Sequence, residues 1–260
     1  MAKEEPLTSD ISEIWSARWN KKTSVRELFQ HRLFVEGYPV FKSYIPRDAK
    51  TILEVGAGSG RYGLMLAKDF PNATVVETDI VPESLEAIKR ATQELALSNV
   101  RIEVQNVLAM TIPDSTADVV FCDAVIQHIP EHAVAIGEMA RILKPGGVLI
   151  LSSVNKRNVP HQLYKHVYLP TLGKTYSYGY EKNFSHRELS RLTQSAGLST
   201  IGHDGFYFAY GVYRWKIHAS WWRYVGGALN RVSRVLDILT GRGFSRNFGF
   251  EVFVVAQKPR

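Results

Sequence analysis

The stretch that most constrains the fold is a glycine-rich loop between an apolar run and an amphipathic run. The apolar run ends at Glu54 and Val55, and Gly56, Gly58 and Gly60 follow immediately. Glycine allows positive φ angles and lets a ligand approach the backbone closely. The first turn of a helix presents N–H groups that have no partner within the helix. The stretch therefore predicts a strand, a tight ligand-binding loop and the start of a helix.

This loop does not have the spacing of a dinucleotide-binding loop. That motif requires G-x-G-x-x-G, with its third glycine placed for close packing of helix on strand. Here the third glycine comes one position early, as Gly60, and Arg61 stands where the motif needs glycine. Glu54 is also unexpected in that motif. The pattern E-x-G-x-G-x-G therefore argues against a dinucleotide-binding loop.

Apolar runs and helical patterns alternate along the chain after the loop. Strands are predicted at 51–55, 73–77, 99–104, 117–123 and 148–152, with helices between them and a turn at 144–147. Such alternation predicts a doubly wound α/β fold with a parallel sheet. Two more strands are predicted at 200–214 and 250–256. Before the sheet, helices are predicted at 9–22 and from Ser24 towards Pro39, the second with a capping box at Ser24 and Glu27.

Four ordered motifs carry a family resemblance. They are E-V-G-A-G-S-G (54–60), V-E-T-D (76–79), F-C-D-A-V-I-Q-H-I (121–129) and L-K-P-G-G-V-L-I-L (143–151). The set resembles the class I S-adenosylmethionine (SAM) dependent methyltransferases, and within them the ubiquinone and menaquinone biosynthesis branch, methyltransferase type 11. The resemblance covers about 50–152 and resumes at 184–198. It implies a Rossmann-like seven-stranded sheet with an antiparallel last strand, and helices that cover the ligand cleft.

The resemblance also implies SAM as cofactor, with S-adenosylhomocysteine as product. The glycines of the loop would hold the methionine part, Asp79 the ribose hydroxyls, and Asn106 with Val107 the adenine. Asp79 also has the spacing after a glycine loop at which an acidic residue binds ribose, although a turn residue before the following helix is the alternative. Relatives usually carry aspartate where this chain has Asn106, whose amide oxygen still accepts a hydrogen bond. The predicted cofactor residues are Glu54, Gly56, Ala57, Gly58, Gly60, Asp79, Ile80, Asn106, Val107 and Asp123.

His128 is the leading candidate for a catalytic base. It follows the fourth strand, at the edge where ligands bind in open α/β sheets, and the resembled branch commonly has histidine here. Histidine titrates near neutrality, as a base for a hydroxyl acceptor must. A structural histidine bonded to a neighbouring backbone group is the alternative. Further unranked candidates are His161, His166, His186 and the tyrosines of 156–183.

No metal is expected, because methyl transfer from a sulfonium is an in-line displacement that needs none. The single cysteine, Cys122, and the eight histidines show no zinc-ligand spacing. One cysteine also excludes an intrachain disulfide.

The net charge of +7 is unevenly distributed. Residues 1–150 carry 16 Lys and Arg against 20 Asp and Glu, whereas residues 151–260 carry 16 against 5. Within 215–246, Trp221, Trp222, Val225, Leu229, Val232, Val235, Leu236 and Leu239 are predicted to share one side of a helix, opposite Arg223, Arg231, Arg234 and Asp237. This pattern is typical of a helix at an anionic membrane surface, of a cover helix on the sheet, or of a homodimer contact. Nucleic acid is the least favoured partner.

The chain is therefore divided into an N-terminal helical cap (1–48), a SAM-binding core (49–155), a substrate-side insertion (156–183) and a basic C-terminal part (184–260) that completes the sheet and carries the amphipathic insertion 215–246. The hypothesis is a SAM-dependent methyltransferase for a small-molecule or lipid-like acceptor, with O-, C- or N-methylation undetermined. The alternatives are a methyltransferase for protein or RNA and a catalytically silent SAM-binding partner. The N-terminus lacks an apolar run after its charges, which predicts a cytoplasmic protein, peripheral at the inner membrane face if 215–246 binds lipid.

Overall fold

The chain folds around one mixed sheet of seven strands. A computed structural model describes residues 14–16, 24–176, 178–215 and 221–260. The strands are β1 (Thr51–Val55), β2 (Thr74–Asp79), β3 (Val100–Val104), β4 (Ala117–Cys122), β5 (Leu143–Val154), β6 (Ser199–Phe206) and β7 (Glu251–Gln257), in the spatial order β3-β2-β1-β4-β5-β7-β6. The first five are parallel, and β7 lies antiparallel between β5 and β6. The predicted Rossmann-like, seven-stranded fold is confirmed.

The helices pack on both faces of this sheet. They are α1 (Val25–Gln30), α2 (Arg32–Lys42), α3 (Arg61–Asp69), α4 (Pro82–Glu94), α5 (His132–Ile142), α6 (Val159–Leu163), α7 (Leu169–Thr171), α8 (His186–Ser195), α9 (Tyr210–Tyr213), α10 (Trp222–Leu239) and α11 (Gly243–Phe248), with a 3₁₀ turn at Ile126–His128 and a π turn at Tyr164–Tyr168.

Side-chain alternation in the central strands divides the core into two layers. Leu53, Val120 and Leu149 face one layer with α5 and α8, while their neighbours Ile52, Val119 and Ile150 face the other with α2 and α3. Both sets are almost completely buried, as expected for parallel strands covered on both faces. Because the sheet is apolar on both sides, polar chemistry is confined to the ends of its strands.

The helix predicted from Ser24 differs from the structure in two ways. The capping box at Ser24 and Glu27 is present, but the helix breaks at His31 into α1 and α2. It then continues through Pro39 to Lys42 rather than ending near Gly37. Packing overrides the local signals here, because Phe34, Tyr38 and Phe41 bury one side of α2 in the second core layer. Of the helix predicted at 9–22, only Ile14–Ser16 lies within the described residues, and these are helical.

The predicted turn at 144–147 lies inside β5. Ala117 pairs with Leu143 and Val119 pairs with Val148, so the longer segment of β5 bulges against β4. An ion pair of 2.8 Å between the Lys144 Nζ and the Asp118 carboxylate spans the bulge. The carboxylate also accepts the N–H groups of Lys50 and Thr51, which joins the start of three strands.

The end of the chain also differs from its prediction. The sixth strand ends at Phe206 rather than near 214, and the short α9 follows it. In α10 the predicted single apolar side divides into two. Val225, Leu229 and Leu236 are half-buried, whereas Trp221, Val232, Val235 and Leu239 are exposed. The prediction of one continuous apolar face was therefore wrong, because the helix packs along a narrow line that includes Gly226 and Ser233.

Candidate functional site

A cavity of about 840 Å³ opens where β1, β2 and β4 end. It is bordered by the loops that follow these strands, by Ile14 and Trp15 from the N-terminal segment, and by residues of 176–181 and 210–214. The carboxyl ends of parallel strands are where open α/β sheets bind ligands. Its size is within the range of small-molecule and cofactor sites.

The glycine loop forms one wall of this cavity. Gly56 and Gly58 have φ angles of +67° and +54°, which only glycine adopts without strain. A methyl group at Gly56 would also overlap the side chain of Val125. The loop is held to β2 because the Ala57 N–H donates to the Thr78 carbonyl at 2.9 Å. Gly60, at the start of α3, does not line the cavity. It forms part of the turn that leads from the loop into α3.

Asp79 closes the loop from the end of β2. Its Oδ2 accepts the Gly58 N–H at 2.8 Å and its Oδ1 accepts the Val81 N–H at 2.9 Å. Burial raises the pKa of this carboxyl, and the hydrogen bonds from Val81 and Gly58 oppose the shift. Each carboxylate oxygen has a further lone pair, and the residue lines the cavity. Asp79 is thus both a turn residue and an acceptor available to a ligand.

A largely apolar part of the cavity is lined by residues that follow β2 and β3. Ile80, Val107 and Leu108 line it, and the exposed fraction of Ile80 is 43%. Asn106 also lines it, and its Oδ1 accepts the Leu108 N–H at 3.0 Å. The amide oxygen already has one partner, so its second lone pair and the amide NH₂ are the groups it can offer a ligand.

Acidic residues follow β4 and begin β7. Asp123 Oδ1 accepts the hydroxyl of Ser152 at 2.7 Å, and that hydroxyl accepts the Ala124 N–H. Glu251 is fully buried, and burial followed by the nearby Asp123 raises the pKa of its carboxyl well above 4.5. Burial and the neighbouring Asp123 thus both oppose ionisation of Glu251 at this edge of the cavity. Sequence reasoning missed Glu251, whose only signal was a carboxyl within an apolar strand.

His128 lies in the 3₁₀ turn after β4, with 6% of its side chain exposed. Its Nδ1 lies 2.9 Å from the Tyr180 carbonyl, so Nδ1 carries the proton. Its Nε2 lies 3.3 Å from Gln127 Nε2. The Gln127 amide is oriented because its Oε1 accepts the Val154 N–H at 2.7 Å. The imidazole is thereby held as the tautomer whose Nε2 is an acceptor.

The segments 176–181 and 210–214 supply an aromatic and charged wall that the sequence did not single out residue by residue. Tyr176, Tyr178, Glu181, Tyr210 and Arg214 line the cavity. The insertion tyrosines were unranked candidates, but nothing in the sequence marked Arg214 or Glu181, since the contacts between them join segments far apart in the chain. The Trp15 ring lies 5.0 Å from the His128 ring, so the N-terminal segment covers this end of the cavity.

The other candidate histidines do not line the cavity. His161 is buried behind it, 3.6 Å from the Glu181 carboxylate, and burial lowers the pKa of its ring. His166 is exposed on the π turn. His186 stacks on His203 at 4.5 Å.

Two buried carboxyls lie beneath the glycine loop. Glu54 Oε2 accepts the Gly63 N–H at 2.7 Å, and the buried carboxyl of Glu77 lies beside it. Burial raises the pKa of Glu54 to about 7 and that of Glu77 well above its usual 4.5. A methyl group at Gly63 would overlap both carboxyls. From the raised pKa of Glu77 and its place beside Glu54, we expect the two carboxyls to share one proton.

Within the described ranges, no group of three or more His, Cys, Asp or Glu side chains is placed to hold a metal ion. In the same ranges, no helix combines the length and hydropathy needed to span a bilayer.

Comparison with known proteins identifies what this cavity is similar to. Residues 46–185 match the sequence family described as "Methyltransferase domain". The chain is 26% identical over 203 residues to Ubiquinone biosynthesis O-methyltransferase of Coxiella burnetii, covering 77% of this chain and 83% of the relative. It is 24% identical over 220 residues to Demethylmenaquinone methyltransferase of Staphylococcus carnosus, covering 77% of this chain and 90% of the relative.

The fold has solved counterparts. A SAM-dependent methyltransferase from Aquifex aeolicus superposes with a TM-score of 0.57 at 17% identity, covering 91% of this chain and 98% of that structure. At this identity the likeness establishes the fold alone.

Replacing Glu77 with Gln tests the shared proton. Because the folded protein holds a proton that the unfolded chain releases above pH 4.5, the free energy of unfolding falls as pH rises through this range. The amide of a Gln at position 77 can donate a hydrogen bond to Glu54 at any pH, so it does not contribute this pH dependence. We expect the free energy of unfolding of Glu77→Gln to rise relative to that of wild type between pH 5 and pH 8, measured by urea unfolding. The exposed variant Glu94→Gln should not change with pH in this way, and a Glu77→Gln difference that is equal at both pH values would contradict the assignment.

Proposed function

Since the chain belongs to the methyltransferase domain family and is a class I SAM-dependent methyltransferase, we propose that it transfers the methyl group to a small-molecule or lipid-like acceptor bound between the glycine loop and the 176–214 wall. The observation that carries this proposal is the single cavity of about 840 Å³, in which a cofactor-like wall and an aromatic wall face common space. Relatives named for quinone biosynthesis support an acceptor of this class.

The residues of the first wall fit SAM. The side-chain-free loop at Gly56 and Gly58 leaves room at the backbone for the methionine part. Asp79, Ile80, Asn106 and Val107 line the cavity. Asp79 would accept hydrogen bonds from the ribose hydroxyls, and Ile80 and Val107 would flank the adenine, with Asn106 at its edge. The charged methionine end would meet Arg61, Asp123 and Glu251, of which Arg61 lies beside the loop. When bound, SAM supplies an electrophilic methyl group on a sulfonium.

The protein's contribution to the reaction is mainly positioning. Holding an acceptor atom in line with the methyl group can account for about 7–11 kcal/mol of the barrier. The N-terminal residues Ile14 and Trp15, which line the cavity, would exclude water from that space. The Nε2 of His128 carries no proton and contacts Gln127. Once that contact opens, Nε2 could take a proton from a hydroxyl group of the substrate.

Methyl transfer from radiolabelled SAM to separated cell fractions tests the acceptor class. We expect label in the organic-solvent or small-molecule fraction, and little in protein or RNA. Asp79→Ala should reduce labelling together with SAM affinity, by about tenfold or more, because it removes the ribose acceptor and releases the loop. Label confined to protein or RNA would overturn the proposal in favour of a macromolecular acceptor, and label in no fraction would favour a silent SAM-binding partner.

His128→Asn separates the catalytic from the structural role of this residue. The Asn amide can still donate to the Tyr180 carbonyl but provides no base. We expect kcat with the identified acceptor to fall by about 10²- to 10⁴-fold, with an unchanged dissociation constant for SAM. The exposed variant His166→Asn is the matched control. Turnover of His128→Asn close to that of wild type would assign the histidine a structural role.

We also propose that the outer face of α10 contacts an anionic membrane surface. The face is apolar and strongly exposed at Trp221, Tyr224, Val232, Val235, Ile238 and Leu239, with exposed fractions of 54–81%. Arg231 and Arg234 are exposed on the same helix, and Arg234 also pairs with Glu36 at 2.7 Å. Apolar side chains beside arginines suit the boundary between lipid tails and headgroups.

Co-sedimentation with vesicles tests this surface. We expect the protein to bind phosphatidylcholine vesicles that contain phosphatidylglycerol more strongly than phosphatidylcholine alone, with a salt-sensitive difference. The triple variant Val235→Ser, Ile238→Ser and Leu239→Ser should lose binding. A control with Val104→Ser, Val134→Ser and Ile201→Ser, which are exposed elsewhere, should retain it. Absence of vesicle binding by wild type would contradict the proposal. A stable dimer that the α10 variant dissociates would instead make a second copy of the chain the partner of this face.

A further inference from the structure

The guanidinium of Arg214 forms part of the cavity wall. Arg214 follows α9, is half-buried and lines the cavity. Its Nη2 donates to the Tyr176 hydroxyl at 2.9 Å. Its carbon Cζ lies 4.9 Å from the centre of the Tyr178 ring and 5.8 Å from that of Tyr176. Two aromatic rings and one hydroxyl therefore fix the position of the cation without neutralising it.

No carboxylate of the described residues forms an ion pair with Arg214. The nearby Glu181 carboxylate is already bound, by Lys165 Nζ at 3.2 Å and Asn183 Nδ2 at 2.8 Å. His161, behind Glu181, is kept neutral because burial lowers its pKa. Burial raises the pKa of the Tyr176 hydroxyl, so it stays protonated. Arg214, Lys165 and Glu181 together therefore carry one excess positive charge.

The charges near the glycine loop do not offset this excess. There Arg61 lines the cavity together with Asp123 and Glu251, so the acidic groups at that end have a cation of their own. Glu131 also lines the cavity but is exposed to solvent. Asp79 is occupied by two backbone N–H groups on the cofactor wall. A half-buried cation that lines a ligand cavity, with no ion pair among the described residues, is placed to bind an anionic group of a ligand.

We propose that Arg214 binds an anionic group of the methyl acceptor, a carboxylate or a phosphate, so that this residue selects negatively charged acceptors. The inference rests on the proposed function, because it places the acceptor at the 176–214 wall. A guanidinium has five N–H donors, and Tyr176 accepts only one of them. The remaining donors match the paired oxygens of a carboxylate or phosphate. The rings of Tyr176 and Tyr178 would border the apolar body next to that group.

The test measures binding of simple probes to the full chain saturated with S-adenosylhomocysteine. Benzoate and phenyl phosphate are the anionic probes and benzamide is the neutral one, each titrated by calorimetry. We expect wild type to bind at least one anion about tenfold or more tightly than benzamide, since a charge-assisted pair replaces a neutral contact. The preferred anion distinguishes a carboxylate acceptor from a phosphate acceptor.

Arg214→Gln should abolish this preference while leaving the affinities for benzamide and S-adenosylhomocysteine within about twofold of wild type. Arg214→Lys keeps a point charge and should retain a reduced preference for the anionic probes over benzamide. It provides a second test of the inference if the Gln variant is unstable. Arg187→Gln, exposed on α8, is the matched control and should match wild type.

Two results would overturn the inference. Equal binding of anions and benzamide by wild type would show that the cavity does not select charge. Loss of S-adenosylhomocysteine binding in folded Arg214→Gln would assign the guanidinium to the methionine carboxylate instead. Failure of the proposed function is distinct, because it appears as label on protein or RNA whatever the probes show.

Discussion

The hydrogen bonds accepted by Asp79 hold the ligand-binding end of the molecule together. One carboxylate oxygen binds the Gly58 N–H of the loop after β1, and the other binds the Val81 N–H before α4. These bonds hold the loop in a conformation that exposes its backbone to a ligand. They also join the β1–α3 and β2–α4 connections at the edge where the cavity opens. The same carboxylate is the proposed partner of the ribose, so a ligand would complete an arrangement that the protein has already ordered.

Burial of carboxyl groups shapes the electrostatics of the cavity. Glu77 and Glu251 are both fully buried, and burial raises the pKa of each. In each pair, the neighbouring carboxyl adds to this effect: Glu54 beside Glu77 beneath the loop, and Asp123 beside Glu251 at the cavity edge. The wall that contains Arg214 is the part with a net positive charge, which is why an anionic acceptor group is proposed there.

The two walls of the cavity have different origins in the chain. The loop wall comes from the ends of β1, β2 and β4, within residues 46–185 of this chain, which match the methyltransferase domain family. The other wall is assembled from Ile14 and Trp15, residues of 176–181 and residues after β6. Because fold alone does not specify substrate, we expect acceptor choice to depend on this second wall. The exposed face of α10 lies outside the cavity. It would place the protein at a membrane surface and would take no part in methyl transfer.

The sequence by itself determined the sheet and the cofactor wall. Continuous apolar runs predicted all seven strands, since parallel strands buried on both faces need such runs, and the bounds of β1 to β4 and β7 agree to within a few residues. The glycine loop and Asp79 follow strands directly, so their meeting at one edge was predictable. Tertiary structure alone decided the continuation of α2 through Pro39, the bulge in β5 and the division of α10 into two faces. It also decided the pairing of Tyr176 with Arg214 and of Glu77 with Glu54, because contacts between residues far apart in the chain leave no local pattern, and burial, which sets their charge, exists only in the folded protein.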